Sequence, residues 1–267
     1  MVRSGCMRFA AGLVLVLGLL ISPLRAQAQT EVDLALVIAV DISFSMDTEE
    51  QALQREGFAQ AFRSPLVHEA IKAGLLGRIA VTYVEWAGTS DQKVIIPWTV
   101  LDNPEGLMAF AERISSTPLS RAQRTSISSA LDFSAKLFDE LGATPTRQVI
   151  DVSGDGPNNQ GRAVEQARDD ALAKGITING LPIMLRKPGY LDIADLDIYY
   201  RDCVIGGQGS FMVPVREREQ FVNAIKTKIL LEVANLTPEV PRIERIQNPP
   251  RANCLSGEMQ WRDRWNN

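Results

Sequence analysis

Val32-Asp33-Leu34-Ala35-Leu36-Val37-Ile38-Ala39-Val40 runs directly into Asp41-Ile42-Ser43-Phe44-Ser45. The first stretch is nearly all apolar and rich in β-branched residues, which suits a strand buried on both faces of a parallel sheet. The polar cluster begins where such a strand ends. In open α/β sheets ligands sit beyond the carboxyl ends of the strands, so this boundary is the first place to look for function.

Downstream, the apolar periodicity alternates between strand and helix. Thr48 stands three residues before Gln51, a capping-box spacing, and Leu53, Phe58, Ala61 and Phe62 follow at helical intervals, predicting a helix from about Glu49 to Arg63. Arg78 to Trp86 and Lys93 to Trp98 are strand-like, and the link between them is too short for a crossover helix, so they form an antiparallel hairpin. Pro104 to Ile114 reads as a helix with Leu107, Phe110, Ala111 and Ile114 on one face. Ser126 to Leu141 carries the clearest helical stripe, through Ile127, Ala130, Leu131, Leu137, Phe138 and Leu141. Val149 to Ser153 and Ile176 to Ile183 read as strands, with a helix from Arg162 to Lys174 between them stopped by Gly175. Phe211 to Val215 is a weaker strand, and Glu217 to Val233 a closing amphipathic helix. The alternation predicts an α/β fold: a doubly wound, mostly parallel sheet with one antiparallel edge strand and helices on both faces.

Both ends of the chain read differently. Arg3 and Arg8 precede an apolar run from Phe9 to Ile21, then Pro23 and Ala26-Gln27-Ala28, the pattern of a secretory signal peptide with cleavage after Ala28. The run falls short of the roughly 20 residues that a bilayer core requires, so no membrane span is expected after cleavage. From Asn235 onward Pro238, Pro241, Pro249 and Pro250 argue against regular elements. The expected organisation is a signal over 1–28, one domain over 29–233 and an extended proline-rich tail over 234–267.

Loss of Arg3, Arg8 and Arg25 with the signal, and of no acidic residue, takes the formal net charge from −4 to −7. An acidic chain without a dense basic stripe disfavours nucleic-acid binding, because nothing neutralises the phosphates. Cys203 and Cys254 remain in an exported, oxidising compartment, periplasmic or extracellular, and one disulfide between them is the expectation.

Oxygen side chains cluster at three strand or helix boundaries: Asp41, Ser43 and Ser45; Thr125 before the best helix; and Asp155 after the Val149 strand. Two carboxylates and three hydroxyls are hard donors, the kind Mg²⁺ or Ca²⁺ selects and zinc or copper does not prefer. Each residue also has an ordinary structural reading: Thr125 as a helix cap, Asp155-Gly156 as a turn, the serines as loop polars.

A strand ending in Asp41-Ile42-Ser43-Phe44-Ser45, a Thr opening the helix Thr125-Ser126-Ile127-Ser128-Ser129-Ala130-Leu131, and the strand-Asp-Gly pair Asp155-Gly156 resemble, in order and spacing, the metal-ion-dependent adhesion site of von Willebrand factor A domains. The resemblance covers roughly Val32 to Val233 and is closest to an exported bacterial branch of the family. It implies that Ser43, Ser45 and Thr125 contact a divalent ion (Mg²⁺, or Ca²⁺ or Mn²⁺) directly, while Asp41 and Asp155 hold it chiefly through water. It also implies a coordination position open to an Asp or Glu side chain of a protein partner, and a binding module, not an enzyme. Neutral hydroxyls around a dication leave its charge largely unquenched, which is why it attracts a carboxylate.

This chain departs from the family pattern at Arg124, where many members carry glycine. A guanidinium there either competes for carboxylates or helps to bind them. Asp151 lies inside a strand expected to be buried, and its expected partner is Arg147 or backbone amides. His68, in a segment beyond the first helix, has no nearby nucleophile pattern, and Trp86 and Trp98 read as packing residues. Two alternatives stand beside the binding module. One is a Mg²⁺-dependent hydrolase, although the chain has no Gly-rich phosphate loop and no second carboxylate cluster. The other is a metal-free, degenerate scaffold in which Arg124 supplies the positive charge.

Overall fold

In the computed structural model, which describes residues 29–186, 189, 193–238 and 251–266, the opening apolar run is the middle strand of a five-stranded sheet. In chain order the elements are β1 (Thr30–Val32), β2 (Leu34–Asp41), α1 (Thr48–Arg63), α2 (Pro65–Lys72), β3 (Ile79–Trp86), β4 (Gln92–Leu101), α3 (Pro104–Ser116), α4 (Ile127–Leu137), β5 (Ala143–Pro145), β6 (Gln148–Gly154), α5 (Val164–Ala173), β7 (Thr177–Pro182), the short α6 (Leu196–Tyr199), α7 (Phe221–Ala234) and α8 (Ser256–Asn266). The sheet order is β4-β3-β2-β6-β7, parallel throughout except for the β3/β4 hairpin, so the expected antiparallel edge strand is β4. The short β1 and β5 pair separately, in parallel.

Alternation along β2 sorts its side chains onto two cores, as a period of two requires. Leu34, Leu36, Ile38 and Val40 meet Phe58 and Phe62 of α1, Phe110 of α3 and Ile225 of α7; Ala35, Val37 and Ala39 meet Ile127 and Leu131 of α4. All eight residues of β2 are buried, which explains the near absence of polar residues in the run. Helix α1 seats on α7 through Gly57, where a Cβ would stand 2.5 Å from Ile225 Cδ1, closer than any side chain tolerates.

Several local expectations need correction. Helix α1 is capped by Asp47, not Thr48. The Asp47 carboxylate accepts the Glu50 N–H at 2.7 Å, and the Glu50 carboxylate accepts the Asp47 N–H at 2.9 Å. A carboxylate accepts more strongly than a hydroxyl and also suits the positive end of the helix dipole. Phe211 to Val215 makes only isolated bridges, Met212 with Gly180 and Val215 with Ile183, because Pro182 of β7, which accepts the Val215 N–H at 2.9 Å, has no N–H of its own to donate to a continuous ladder. The tail is not wholly extended, since Ser256–Asn266 is helical; the signal and Pro241, Pro249 and Pro250 lie outside the described residues. Trp86 is fully buried, and Trp98 packs on Phe138 while donating to the Leu137 carbonyl at 2.8 Å, so both tryptophans are packing residues.

Asp151 does have an internal partner, but it is Lys228 of α7. Lys228 Nζ lies 2.7 Å from Asp151 Oδ1 and 2.7 Å from Glu232 Oε1, all three side chains being buried. Arg147 instead donates to the Glu232 carbonyl at 3.0 Å. Burial pushes the Asp151 carboxyl up to about 7, against the pull of Lys228. A folded-state value above the ordinary 3.8 means that the stability this group contributes is complete below about pH 4 and is lost as pH rises through about 7. Asp151→Asn should therefore flatten the decline in stability between about pH 4 and pH 7, measured by urea denaturation across that range. Parallel curves for the two proteins would show that Asp151 does not titrate there.

Among the described residues, no helix is long and apolar enough to cross a membrane.

Candidate functional site

Two parallel neighbours, β2 and β6, deliver the acidic residues to one edge of the sheet. Asp41 is the last residue of β2, and Asp155 follows directly on the end of β6. The turn after β2 is drawn back on itself because the Ser43 N–H donates to Asp41 Oδ1 at 2.7 Å. Ser43 Oγ then lies 2.8 Å from Ser45 Oγ, and Ser45 Oγ donates to Asp155 Oδ1 at 2.6 Å. The chain from Asp41 through the two serines to Asp155 is thus closed by hydrogen bonds across 110 residues of sequence.

Thr125 reaches the same place from a third loop. Ser43, Ser45 and Thr125 line one cleft of about 430 Å³, together with Phe44, Arg124, Arg186 and Trp261. Asn159 fixes the Thr125 backbone, its side chain accepting the Thr125 N–H at 3.0 Å and its N–H donating to the Thr125 carbonyl at 2.8 Å. The capping reading of Thr125 falls away, because Ser126 caps α4.

The buried floor of the site is polar and incompletely bonded. Asp41 is fully buried; Oδ1 accepts from Ser43, and Oδ2 has no partner of good hydrogen-bond geometry among the described residues, although the Asp155 backbone N–H also favours the charged form of this carboxyl. The hydroxyl of Tyr200, also buried, has none among those residues either. Both atoms press against Gly154, where a Cβ would stand 2.9 Å from Asp41 Oδ2 and 3.0 Å from Tyr200 Oη, so only glycine fits there. Burial first, and the charge of Asp155 second, hold the Asp41 carboxyl well above the usual carboxylate range. Burial also raises the Tyr200 hydroxyl, helped by the charges of Asp41 and Asp155.

Two side chains that sequence reasoning did not assign complete the mouth. Arg186, just beyond β7, bonds through Nη2 to the Ser45 carbonyl and to the Asp155 carboxylate, and its Nε lies 3.2 Å from Glu50 Oε1. Its signal was its position past the end of a strand, the same boundary that singled out Asp41 and Asp155. Trp261, on α8, carries the Arg124 guanidinium 3.7 Å above its ring. Nothing local marks that contact, since the two residues are far apart in sequence. Arg124 itself has φ +73°, in the left-handed region where glycine is the unstrained residue.

Helix α8 reaches the site through a covalent tether. Cys203 and Cys254 are disulfide-bonded, with Cα atoms 5.5 Å apart. Beyond the bond, Glu258 Oε1 accepts from Asn158 Nδ2 at 2.7 Å, and Asn158 Oδ1 accepts the Ser128 N–H at 3.0 Å, so the tail joins the same loops that present Thr125 and Asp155.

A family model described as "Protein of unknown function (DUF1194)" matches residues 31–237. No curated protein matches the chain. Solved structures with a similar fold include proximal thread matrix protein 1 from the mussel byssus, at 14% identity over 76% of this chain and 49% of that one, with a TM-score of 0.54. The same mussel protein with a zinc-occupied MIDAS motif aligns at 12% identity over 74% of this chain and 46% of that one, TM-score 0.50. The pilus adhesin SpaC from Lactobacillus rhamnosus GG, in its open conformation, aligns at 11% over 79% and 31%, TM-score 0.54. A von Willebrand factor type A protein from Catenulispora acidiphila aligns at 11% over 76% and 43%, TM-score 0.53. The chain spans about half the length of the mussel protein and less of the other two. At these identities the likeness speaks for the fold, while the match to the family model spans most of the sequence. The chain belongs to the DUF1194 family, built on the fold of a von Willebrand factor type A domain.

Proposed function

We propose that the protein is an exported binding module that holds a divalent cation, Mg²⁺ or a similarly hard ion such as Ca²⁺ or Mn²⁺, at Asp41, Ser43, Ser45, Thr125 and Asp155, and uses it to capture an acidic residue of a protein partner. The observation that carries this reading is Asp41 Oδ2, a buried carboxylate oxygen without a hydrogen-bond partner among the described residues, on a group whose charge is opposed by that of Asp155. Two buried acids side by side repel, and a cation among them turns that cost into attraction. The donor set is oxygen throughout, which fits a hard ion. When bound, the ion supplies a concentrated positive charge that the neutral hydroxyls of Ser43, Ser45 and Thr125 leave largely unquenched. The zinc-occupied motif of the mussel protein supports metal use on this fold. Export is supported by the Cys203–Cys254 disulfide, a bond that persists in oxidising compartments. On this reading residues 1–28 are a cleaved signal, 29–233 the binding domain and 234–267 an accessory tail.

One observation favours a second reading. Arg186 already gives Asp155 a cationic partner, so a metal-free site balanced by a guanidinium is chemically coherent. Arg186 takes the part that the sequence had suggested for Arg124. Calorimetric titration of Mg²⁺ into EDTA-stripped protein separates the two. The metal reading expects saturable heat for the wild type, none for Asp41→Ala, and tighter binding for Arg186→Ala, which removes the competing cation. Absence of heat in both the wild type and Arg186→Ala would establish the metal-free scaffold.

A further inference from the structure

The mouth of the cleft is bracketed by two arginines laid on aromatic rings. Arg124 Cζ sits 3.7 Å above Trp261, and Arg121 Cζ sits 5.0 Å above Phe44, which is 53% exposed. Neither guanidinium has an acidic partner among the described residues, in contrast to Arg55, Arg162, Arg186 and Arg218, each of which pairs with a carboxylate. On a chain with formal net charge −4, these two cations lie beside the cleft that Ser43, Ser45 and Thr125 line. Stacking occupies the face of a guanidinium and leaves N–H groups on its edge, the geometry that accepts a carboxylate in two parallel bonds. Arg121 spends one N–H on the Phe44 carbonyl at 2.7 Å, whereas Arg124 makes no hydrogen bond with its side chain among the described residues. Arg124 also keeps its place against backbone preference, at φ +73°, and strain of that kind gathers where a side chain is needed for binding.

We infer that Arg124, seated over the ring of Trp261, is a second carboxylate-binding contact of this surface, so that the partner is a protein segment carrying at least two acidic side chains. One acidic group goes to the site formed by Asp41, Ser43, Ser45, Thr125 and Asp155, and the other to the edge of Arg124. This deepens the binding reading above and rests on it for the first carboxylate only. It makes the C-terminal helix part of the ligand-binding surface, because Trp261 belongs to α8.

The test uses fluorescein-labelled hexaglutamate, with hexaglutamine as control, in anisotropy titrations of the full-length protein with Mg²⁺ and with EDTA. Arg124→Gly is the informative variant, since glycine suits the left-handed backbone and its melting temperature should equal or exceed that of the wild type. Loss of a charge-assisted bidentate contact should weaken hexaglutamate binding about tenfold, in Mg²⁺ and in EDTA alike. Trp261→Ala should weaken it in the same sense by a smaller factor, and Arg124→Lys should fail to restore full affinity because it cannot form the paired bonds. Equal affinity for wild type and Arg124→Gly, or no preference of the wild type for hexaglutamate over hexaglutamine, overturns the inference. The metal reading is scored separately: binding that is indifferent to Mg²⁺ but lost in Arg124→Gly sinks that reading and sustains this one.

Discussion

Lys228→Met should lower the unfolding free energy by about 3–5 kcal/mol, measured by urea denaturation near pH 8. Methionine keeps the length and apolar stem of lysine, so the change removes a charge without opening a large cavity. What remains is Asp151 and Glu232, both fully buried, with their shared cation gone. Asn179 still donates to Glu232 Oε1 at 3.1 Å, but nothing replaces the ammonium at Asp151 Oδ1. The two acids must then bind protons to stay inside. Because protonation relieves the penalty, the loss should shrink as pH falls towards 5, the direction set by a carboxyl already raised to about 7 with the lysine present.

A control separates loss of charge balance from loss of packing. The triple variant Asp151→Val, Lys228→Met, Glu232→Leu removes every buried charge at once, and stability should return to within about 1 kcal/mol of the wild type, or exceed it. A single Lys228→Met variant that loses less than about 1 kcal/mol at pH 8 would show that the triad is wet or rearranged, contrary to its burial. The consequence extends to the site. Helix α7 seats α1 through Gly57, and Gln54 of α1 donates at 2.7 Å to Ser153, two residues before Asp155. Loosening α7 therefore also loosens the wall that carries the acidic edge.

The fold could be read from the sequence because its central strand is buried on both faces and says so in every residue from Leu34 to Val40. The hairpin was equally plain, since the link between Trp86 and Lys93 is too short for a crossover. Elements were missed where tertiary context overrides local pattern. Helix α2 is only eight residues and begins at Pro65 immediately after α1, so it offers too few turns for a periodic stripe. Helix α8, SGEMQWRDRWN, has no apolar stripe at all and follows a run of prolines. It is held by a disulfide and by contacts to loops distant in sequence, which no periodicity records. The oxygen donors were visible because each stands at the end of a strand or the start of a helix. Arg186 stood at such a boundary too, but a search for donors alone passes over a cation that answers them. Lys228 escaped as the partner of Asp151 because lysine on an amphipathic helix is ordinarily a surface residue.

Breaking the Cys203–Cys254 bond is the other change with a large expected effect. The bond closes a loop with a sequence separation of 51, and the loop-entropy relation assigns such a closure about 4 kcal/mol. The noncovalent contacts that hold the segment include the Ala252 N–H to Asp202 at 2.9 Å, Asn158 to Glu258, and Arg124 over Trp261. Without the bond, noncovalent contacts alone must order the eleven residues of α8, and they lose the roughly 4 kcal/mol that the crosslink contributes. In Cys203→Ser/Cys254→Ser, therefore, α8 should detach before the sheet unfolds. Its amides should exchange hydrogen within seconds while those of β2 and β6 stay protected, and the urea midpoint should fall by an amount equivalent to about 4 kcal/mol. The same variant should lose the Arg124-dependent share of hexaglutamate binding and keep more of any Mg²⁺-dependent share, because Trp261 leaves with the helix while Asp41, Ser43 and Ser45 stand on the β2 edge. Protected α8 amides and unchanged stability in the double-serine protein would mean that the helix docks by itself and that the disulfide only records its position.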